Sequence, residues 1–158
     1  MSAKILSHSE LSRRADEIRQ AGQRLVLTNG CFDLLHVGHV RYLQQARKLG
    51  DFLVVAVNGD DSVRALKGAG RPLNSEDDRA EVLAALECVD FVTIFPDVRA
   101  TQVIEALRPA IYVKGGDYTL ESLDPEEVTA LKRVGAEIKT LPLISGKSTS
   151  SLIERMQQ

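Results

Sequence analysis

Apolar residues along the chain fall into two patterns, short continuous runs and longer segments with helical spacing. The continuous runs predict five buried strands, at residues 25–27, 52–57, 90–95, 110–113 and 136–141. The helical spacing predicts helices at residues 7–20, 36–49, 75–86, 98–107, 125–134 and 148–156. Continuous apolar strands that alternate with amphipathic helices are typical of a parallel sheet covered on both faces. We therefore expect a doubly wound α/β fold with five parallel strands.

The chain has the length of one domain, 158 residues, and no linker or internal repeat divides it. We expect a single domain over residues 1–158, in which a leading helix within residues 1–22 precedes a core at residues 24–156. Ser7 or Ser9 could cap that leading helix. In Rossmann-like sheets of this kind, ligands bind beyond the carboxyl ends of the strands, so the loops that follow the strands should carry the chemistry.

The loop after the first strand is a candidate phosphate site. Thr28-Asn29-Gly30 is expected to break the strand, since Asn and Gly tolerate the backbone angles of a tight turn. His36 and His39 then lie at the start of the next helix, and Gly38 between them leaves the backbone approachable. Unpaired N–H groups and the positive end of the helix dipole favour phosphate there, and two imidazoles add donors. The stretch therefore predicts a phosphate-binding helix start.

The same stretch, GCFDLLHVGH at residues 30–39, resembles the GxFDxxHxGH signature of the cytidylyltransferase-like nucleotidyltransferases. Three longer segments, TNGCFDLLHVGHVRYLQQAR, RPLNSEDDRAEVLAALECVD and VKGGDY, are similar to the adenylyltransferases that form ADP-heptose. The resemblance covers residues 24–156 and implies transfer of AMP from ATP to D-glycero-D-manno-heptose 1-phosphate, giving pyrophosphate and a lipopolysaccharide inner-core precursor. Because the chain contains no sugar kinase sequence, we expect the stand-alone form of this enzyme.

The resemblance also implies a role for particular residues. His36, His39 and Lys67 are expected to act on the triphosphate during catalysis, Lys67 from a Gly-rich loop. The residues expected to bind the nucleotide are Asn29, Gly30, Cys31, Phe32, Gly38, Arg79, Lys114, Gly115, Gly116, Asp117, Ser148, Thr149 and Ser150. Glycines directly after a strand would let a base lie against bare backbone, and hydroxyls that open a helix would suit an anion.

Several of these residues also have interpretations that involve no ligand. Arg79 could pair with Glu76 or Asp78 across the surface, which is an interaction usually worth little. The remaining alternatives are a helix cap at Asp60 or, better, Asp61, a plain turn at Gly115-Gly116, and a solvated loop around Lys67 and Arg71. The role of Arg71 stays open, and so does that of Lys147, which stands where the family has an apolar residue.

Composition and charge limit the classes of partner that this chain can bind. The formal net charge of −2 provides no general basic field for nucleic acid, and no apolar run approaches the length of about 20 residues that a membrane span requires. Cys31 and Cys88 are far apart, without the spacing of a disulfide framework or a metal cluster. We expect a cytoplasmic homodimer that binds ATP and a sugar 1-phosphate. Mg²⁺ should bridge the phosphates of ATP without a dedicated set of protein ligands.

Two alternatives remain open at this level. Within the same class of enzyme, the substrates could be CTP with glycerol 3-phosphate or ethanolamine phosphate, or ATP with a flavin nucleotide. Base choice would rest on a few backbone contacts that no sequence motif determines. In a different class, the domain could be a nucleotide-binding regulatory module without catalysis. The presence of both histidines and of Ser148-Thr149-Ser150 argues against that second alternative.

Overall fold

The structure, a computed structural model, describes residues 2–116, 119, 121–142 and 148–158. Within these ranges the chain forms five strands and seven helices. In chain order they are α1 (His8–Gln20), β1 (Leu25–Gly30), α2 (Val37–Arg47), β2 (Phe52–Asn58), α3 (Asp60–Lys67), α4 (Glu76–Ala84), β3 (Phe91–Phe95), α5 (Thr101–Leu107), β4 (Ile111–Gly115), α6 (Pro125–Val134), β5 (Glu137–Leu141) and α7 (Thr149–Met156).

The strands form one all-parallel sheet in the order β3-β2-β1-β4-β5. Strand order reverses between β1 and β4, because the chain builds outward through β2 and β3 and then returns to the other side of β1. The prediction of a Rossmann-like, doubly wound α/β domain is confirmed. The reversal opens a crevice at the carboxyl ends of β1 and β4, which is where sheets of this type bind ligands.

Helices cover both faces of the sheet. On one face α1, α5 and α6 pack against strand residues that include Leu27 and Val54. On the other face α2 and α4 pack against the intervening residues, which include Val26 and Val55. Successive side chains of a strand point to opposite faces, so a continuous apolar run fills both layers. None of the helices in the described ranges is long and apolar enough to cross a membrane.

Helix starts follow the polar residues that precede them. Ser7 accepts a hydrogen bond from the Glu10 N–H, while the Glu10 carboxylate accepts one from the Ser7 N–H. Ser75 likewise accepts from the Asp78 N–H at the start of α4. Each hydroxyl satisfies an N–H group that has no partner within its helix. The leading helix with a Ser7 cap, one of the two predicted caps, is confirmed.

Four local predictions are wrong. The turn predicted at residues 28–30 is part of β1, because these residues pair in parallel with residues 55–57 of β2. The cap predicted at Asp60 or Asp61 is instead Gly59, and both aspartates lie in the first turn of α3. Lys67 is accordingly the last residue of a helix rather than part of a loop. The helix predicted from residue 98 begins at Thr101, after a segment that packs against the start of α6.

Candidate functional site

A cavity of about 840 Å³ lies at the carboxyl ends of the strands, where the strand order reverses. It brings together most of the residues singled out from the sequence, although they come from five separate segments. Those that line it are Asn29, Gly30, Cys31, Phe32, His36, Gly38, His39, Lys67, Lys114, Gly115, Ser148, Thr149 and Ser150, together with Arg71. Arg79 and Gly116 are not among the lining residues. Asp117 and Lys147 lie outside the described residues.

The start of α2 holds both histidines in one tautomer. Nδ1 of His36 accepts a hydrogen bond from the Gly38 N–H at 3.0 Å, and Nδ1 of His39 accepts one from the His36 N–H at 3.3 Å. A ring nitrogen that accepts an N–H carries no proton in the neutral imidazole, so the proton of each ring lies on Nε2. Both residues line the cavity. The helix start therefore adds two Nε2–H donors to its own backbone N–H groups.

The charge state of His39 follows from its surroundings. Burial, reinforced by the neighbouring His36, lowers the pKa of His39 from 6.5 to about 4. The two rings lie 4.0 Å apart between centroids, so the proximity of His36 disfavours a charge on His39. His39 is therefore neutral at pH 7 and acts as a hydrogen-bond donor rather than a cation. Positive charge at the cavity comes from Lys67, Arg71 and Lys114, and from Arg99, which is paired with Asp124.

Phe32 packs against His39 and Gly30. Its φ angle of 48° lies in the left-handed region, which is uncommon for an aromatic residue. Its ring lies 5.5 Å from that of His39 between centroids and covers Gly30. A Cβ atom at Gly30 would approach Phe32 Cε2 to 3.0 Å, which is too close without a shift of the ring. Gly30 is therefore needed because Phe32 packs over it and against His39.

Asp33 was not among the predicted site residues, although it is a fixed position of the family signature. Its buried carboxylate accepts hydrogen bonds from Arg71 Nε at 2.7 Å and from the N–H groups of Leu73 and Asn74. Burial on its own would raise the pKa of Asp33, but these hydrogen bonds outweigh it and hold the pKa below its usual value. Asp33 thus fastens the segment after α3 and keeps Arg71 at the cavity.

Arg79 lies behind the cavity wall rather than at its surface. It is only 2% exposed, and its guanidinium donates to the carbonyl oxygens of Cys31, Asn58 and Asn74 at 2.7, 2.7 and 3.0 Å. It also pairs with Asp60 at 2.8 Å. A guanidinium with five N–H donors suits such a junction of three backbone segments. Its contacts give Arg79 the role of a positioning residue.

The surface pairing considered for Arg79 with Glu76 or Asp78 is wrong. Glu76 instead accepts a hydrogen bond from the Asp60 N–H at 2.6 Å, which ties the start of α4 to the start of α3. The same carboxylate explains the cap residue Gly59, where a Cβ atom would lie 2.9 Å from Glu76 Oε2. The helix-start acids therefore hold α3 and α4 together.

Tyr42 shapes the end of β4, and the sequence offered no signal for it beyond its helical position. A Cβ atom at Gly115 would approach the Tyr42 ring to 3.2 Å, so the glycine lets the tyrosine pack against the backbone. The Tyr42 hydroxyl donates to the Val113 carbonyl at 3.1 Å and lies 2.7 Å from the Thr28 hydroxyl. Burial, only partly offset by Thr28, raises the pKa of Tyr42 to about 12. Tyr42 is therefore a neutral strut between β1 and β4.

The start of α7 is fastened to the loop between β1 and α2. Ser148 caps the helix and accepts from the Ser151 N–H at 3.0 Å. The Thr149 hydroxyl donates to the Leu34 carbonyl at 2.8 Å. Because Leu34 precedes His36 by only two residues, this hydrogen bond holds the start of α7 next to the start of α2.

A second group of lining residues was not predicted at all. Asn58 ends β2, Arg99 follows β3, and Asp124 and Glu127 lie at the start of α6. Asp124 caps α6 and pairs with Arg99 at 2.7 Å. These residues belong to no motif, and only their positions after strands could have indicated them. Among the described residues, no group of three or more His, Cys, Asp or Glu side chains is arranged to hold a metal ion.

The fold and this cavity define an α/β nucleotide-binding domain, and the start of α2 presents two histidines to the cavity. Residues 27–155 match the family model described as cytidylyltransferase-like. The chain therefore belongs to the cytidylyltransferase-like family and is a nucleotidyltransferase.

Among curated proteins the chain is similar to enzymes named bifunctional protein HldE. That of Geotalea uraniireducens is 50% identical over 155 residues, which is 98% of this chain and 31% of the relative. That of Syntrophotalea carbinolica is 50% identical over 138 residues, or 87% of this chain and 28% of the relative. The chain thus spans about a third of the length of these proteins.

Two solved structures share the fold. A lipopolysaccharide core biosynthesis protein from Thermoplasma volcanium is 28% identical, with a TM-score of 0.65, and the match covers 80% of this chain and 100% of that one. A pantoate-beta-alanine ligase from Francisella tularensis has a TM-score of 0.60 over 99% of this chain and 80% of its own. At 13% identity the ligase shows the fold alone.

Proposed function

We propose that this domain transfers AMP from ATP to D-glycero-D-manno-heptose 1-phosphate, giving ADP-heptose and pyrophosphate for lipopolysaccharide inner-core synthesis. The observation that carries the proposal is the pair of histidines at the start of α2, both with Nε2 protonated, in a cavity that is also lined by Lys67, Arg71, Arg99 and Lys114. The similarity to HldE proteins and to a lipopolysaccharide core biosynthesis protein supports heptose as the acceptor.

The reaction needs no covalent intermediate. A phosphate oxygen of the sugar phosphate attacks the α-phosphorus of ATP in line, the new P–O bond forms, and pyrophosphate leaves with the electrons of the broken bond. The attacking oxygen is already an anion, so no strong general base is required. Burial raises the pKa of the Cys31 thiol, although Lys67, Arg79 and Arg71 act in the opposite direction. The thiol is therefore protonated and a poor nucleophile.

The domain then contributes mainly position and electrostatic stabilisation. His36 and His39 donate hydrogen bonds to the triphosphate, where negative charge shifts during transfer. Lys67 and the hydroxyls of Ser148 and Ser150 extend the same cradle, while the Thr149 hydroxyl is committed to the Leu34 carbonyl. Lys114 and Gly115 contact the nucleotide. The neutral state of His39 suits this role, because a neutral Nε2–H donor interacts with the phosphates without taking part in proton transfer.

Mg²⁺ enters with ATP as part of the substrate. Within the described residues, the carboxylate of Asp33 is already committed to Arg71 and to two backbone N–H groups. The phosphate oxygens are therefore the main ligands we propose for the ion, which readily keeps several waters. A cytoplasmic location, where ATP is supplied, and a homodimer stay predictions, and light scattering of the purified domain tests the second.

The decisive experiment measures pyrophosphate release with ATP or CTP against a panel of acceptors. The panel contains D-glycero-D-manno-heptose 1-phosphate, glycerol 3-phosphate and ethanolamine phosphate. We expect release with ATP and the heptose phosphate. Turnover with CTP and glycerol 3-phosphate would overturn the proposal, and ATP binding without release for any acceptor would favour a regulatory module.

A further inference from the structure

Two buried polar side chains line the cavity without belonging to the phosphate site. Asn58, at the end of β2, is 2% exposed, and Glu127, in the first turn of α6, is 7% exposed. Burying an amide or a carboxylate is costly unless its polar atoms find partners. Each of these residues has one side-chain polar atom that is hydrogen-bonded within the protein. The other side-chain polar atom is a candidate to bind a ligand.

The orientation of the Asn58 amide follows from its neighbours. The Ser62 hydroxyl donates its single proton to the Asp97 carbonyl at 3.0 Å, so it can only accept from Asn58 at 2.8 Å. The atom of Asn58 that faces Ser62 must therefore be Nδ2, which also lies 3.5 Å from the carbonyls of Asp97 and Val98. Oδ1 is the remaining atom, and it accepts no hydrogen bond from any residue in the described ranges. Asn58 thus presents an acceptor.

The two carboxylate oxygens of Glu127 also differ in their partners. Its Oε1 accepts a hydrogen bond from the Ala100 N–H at 3.0 Å, which fastens the start of α6 to the start of α5. Its Oε2 has no hydrogen-bond donor among the residues that the structure describes. The neighbouring Asp124 is occupied by Arg99 and by the N–H groups at the start of α6. The free acceptor of this wall is therefore Oε2 of Glu127.

The cavity consequently has two chemically different parts. Donors and cations come from the starts of α2 and α7, the end of β4, and the end of α3 with the segment after it. The remaining lining cation, Arg99, lies after β3 and is paired with Asp124. The two acceptor oxygens belong to buried side chains, Asn58 at the end of β2 and Glu127, whose other oxygen binds the Ala100 N–H after β3. A triphosphate offers acceptors and negative charge, so it fits the first part and is repelled by Glu127. Hydroxyl groups, which donate hydrogen bonds, fit the second part.

We propose that Asn58 Oδ1 and Glu127 Oε2 form the subsite that accepts hydrogen bonds from the hydroxyl groups of the acceptor, a polyhydroxylated sugar phosphate. This inference rests on the proposed function and adds the residues that select the sugar. The acceptor's phosphate then points toward the cationic part, where the α-phosphorus of ATP lies, and its ring lies against the acceptor oxygens. A substrate without hydroxyls would cover both oxygens and leave them unpaired, which is a strong basis for selection.

Glu127→Gln is the sharpest test, because the glutamine oxygen can still accept from the Ala100 N–H while its amide group replaces Oε2 with a donor. We expect the KM and the dissociation constant for the sugar phosphate to rise by about 10- to 100-fold, as for a mispaired buried polar group. The dissociation constant for ATP should stay within about twofold of the parent, since the phosphate site is untouched. The matched control is Glu126→Gln, the same change one residue earlier on a side chain that is 67% exposed, and it should leave both constants unchanged.

Asn58→Ala tests the other oxygen on a separate element. Ser62 still donates to the Asp97 carbonyl in this variant, so the loop keeps that bond. We again expect weaker sugar phosphate binding with ATP affinity retained. If one of the two variants does not fold, the other decides the question.

Binding by calorimetry and pyrophosphate release are measured separately, so that the two proposals can fail independently. Unchanged sugar phosphate binding in the folded variants overturns the subsite, and so does a loss of ATP affinity in its place. A parent domain that binds no sugar phosphate also overturns it. Weakened binding of the sugar phosphate by the variants, in a parent that releases no pyrophosphate, supports the subsite and overturns the proposed reaction.

Discussion

Backbone hydrogen bonds determine the tautomer of His36 and His39. Each Nδ1 accepts a backbone N–H of the same turn, so the proton of each ring lies on Nε2. Phe32, packed over Gly30, supports the ring of His39. The donor atoms are therefore oriented before a nucleotide binds. Such preorganised donors lower the barrier because they need no rearrangement as charge develops on the transferring group.

We expect His39→Ala to reduce turnover by about 10²–10³-fold, the usual cost of removing one such donor. The affinity for ATP should fall much less, because the basic residues and helix starts remain. Steady-state kinetics with ATP binding measured in parallel would check this. His8→Ala is the matched control, since His8 lies on α1 with Nε2 3.1 Å from the Ile94 carbonyl oxygen, and it should retain parental turnover. Turnover of His39→Ala within about threefold of the parent would exclude a catalytic role.

The lowered pKa of His39 also predicts a pH dependence of stability. In the unfolded chain the imidazole binds a proton below about pH 6.5, whereas in the folded domain it resists protonation until about pH 4. Stability decreases as the pH decreases wherever the unfolded state binds more protons, so the contribution is complete above about pH 6.5 and is lost toward pH 4. The free energy of unfolding should therefore fall more between pH 7 and pH 5 in the parent than in His39→Gln.

Urea unfolding at the two pH values gives that comparison directly. His8→Gln, which removes the histidine of α1, should follow the parent. Identical losses in the parent and in His39→Gln would mean that His39 titrates normally in the folded domain.

Among the elements, the junction of β1, β2 and α4 depends on Arg79. Its guanidinium, on α4, donates to carbonyls that follow or end the two strands and pairs with Asp60 at the start of α3. The segments that it joins carry Cys31 and Asn58, which line the cavity. A residue that touches no ligand can thus set the geometry of the site.

Replacing Arg79 with methionine should therefore destabilise the domain by about 3 kcal/mol or more, since buried carbonyls and one carboxylate lose their partner. Urea unfolding would measure the loss. Arg64→Met is the matched control, because Arg64 pairs with Asp61 on the exposed side of α3 and such pairs contribute little. Equal stability of the two variants would contradict the role of Arg79 at the junction.

The contact between α7 and the loop before α2 is a second link between elements. The Thr149 hydroxyl donates to the Leu34 carbonyl, so the nearly isosteric Thr149→Val should lose about 1 kcal/mol of stability. ATP should also bind more weakly, because the start of α7 is no longer held beside that of α2. Thr129→Val, which removes a hydroxyl bonded within α6, is the control for thermal melting and for ATP titration. A Thr149→Val domain with parental melting and ATP affinity would show that the tether is unimportant.

Across the whole molecule, the cavity lies at the reversal between β1 and β4, with α7 and α6 on its walls. A ligand there contacts segments from β1 to α7, far apart in the chain. Binding to the folded state alone stabilises it by about 2.7 kcal/mol when the ligand is present at about 100 times its dissociation constant. For a domain of this size that corresponds to a rise in Tm of about 5–10 °C.

Differential scanning fluorimetry with MgATP at that concentration should show this rise. Free Mg²⁺ without nucleotide should not, since the phosphates supply most of its ligands in the proposed complex. A Tm that is indifferent to MgATP would contradict nucleotide binding in this cavity.

Local signals in the sequence were sufficient for most of the architecture. Apolar runs indicated the five strands, and the helix starts at Ser75 and Pro125 were predicted correctly because capping and proline preferences act within a single turn. The motif at residues 30–39 indicated residues that line the cavity for the same reason, since they belong to one loop and one helix start, and their binding of phosphate stays a prediction. Errors arose at residues 28–30, where pairing with β2 overrode the turn preference of Asn and Gly.

What the sequence by itself determined about this protein is the fold class, the family and the residues that start α2. Only the tertiary structure decided that Asp33 binds Arg71, that Arg79 lies behind the wall, and that Asn58 and Glu127 border one cavity. These arrangements bring together residues 19 to 69 positions apart, and a single sequence contains no record of which distant groups will meet. A capping hydroxyl finds its partner within three residues, whereas a buried charge finds its partner only after the sheet has assembled.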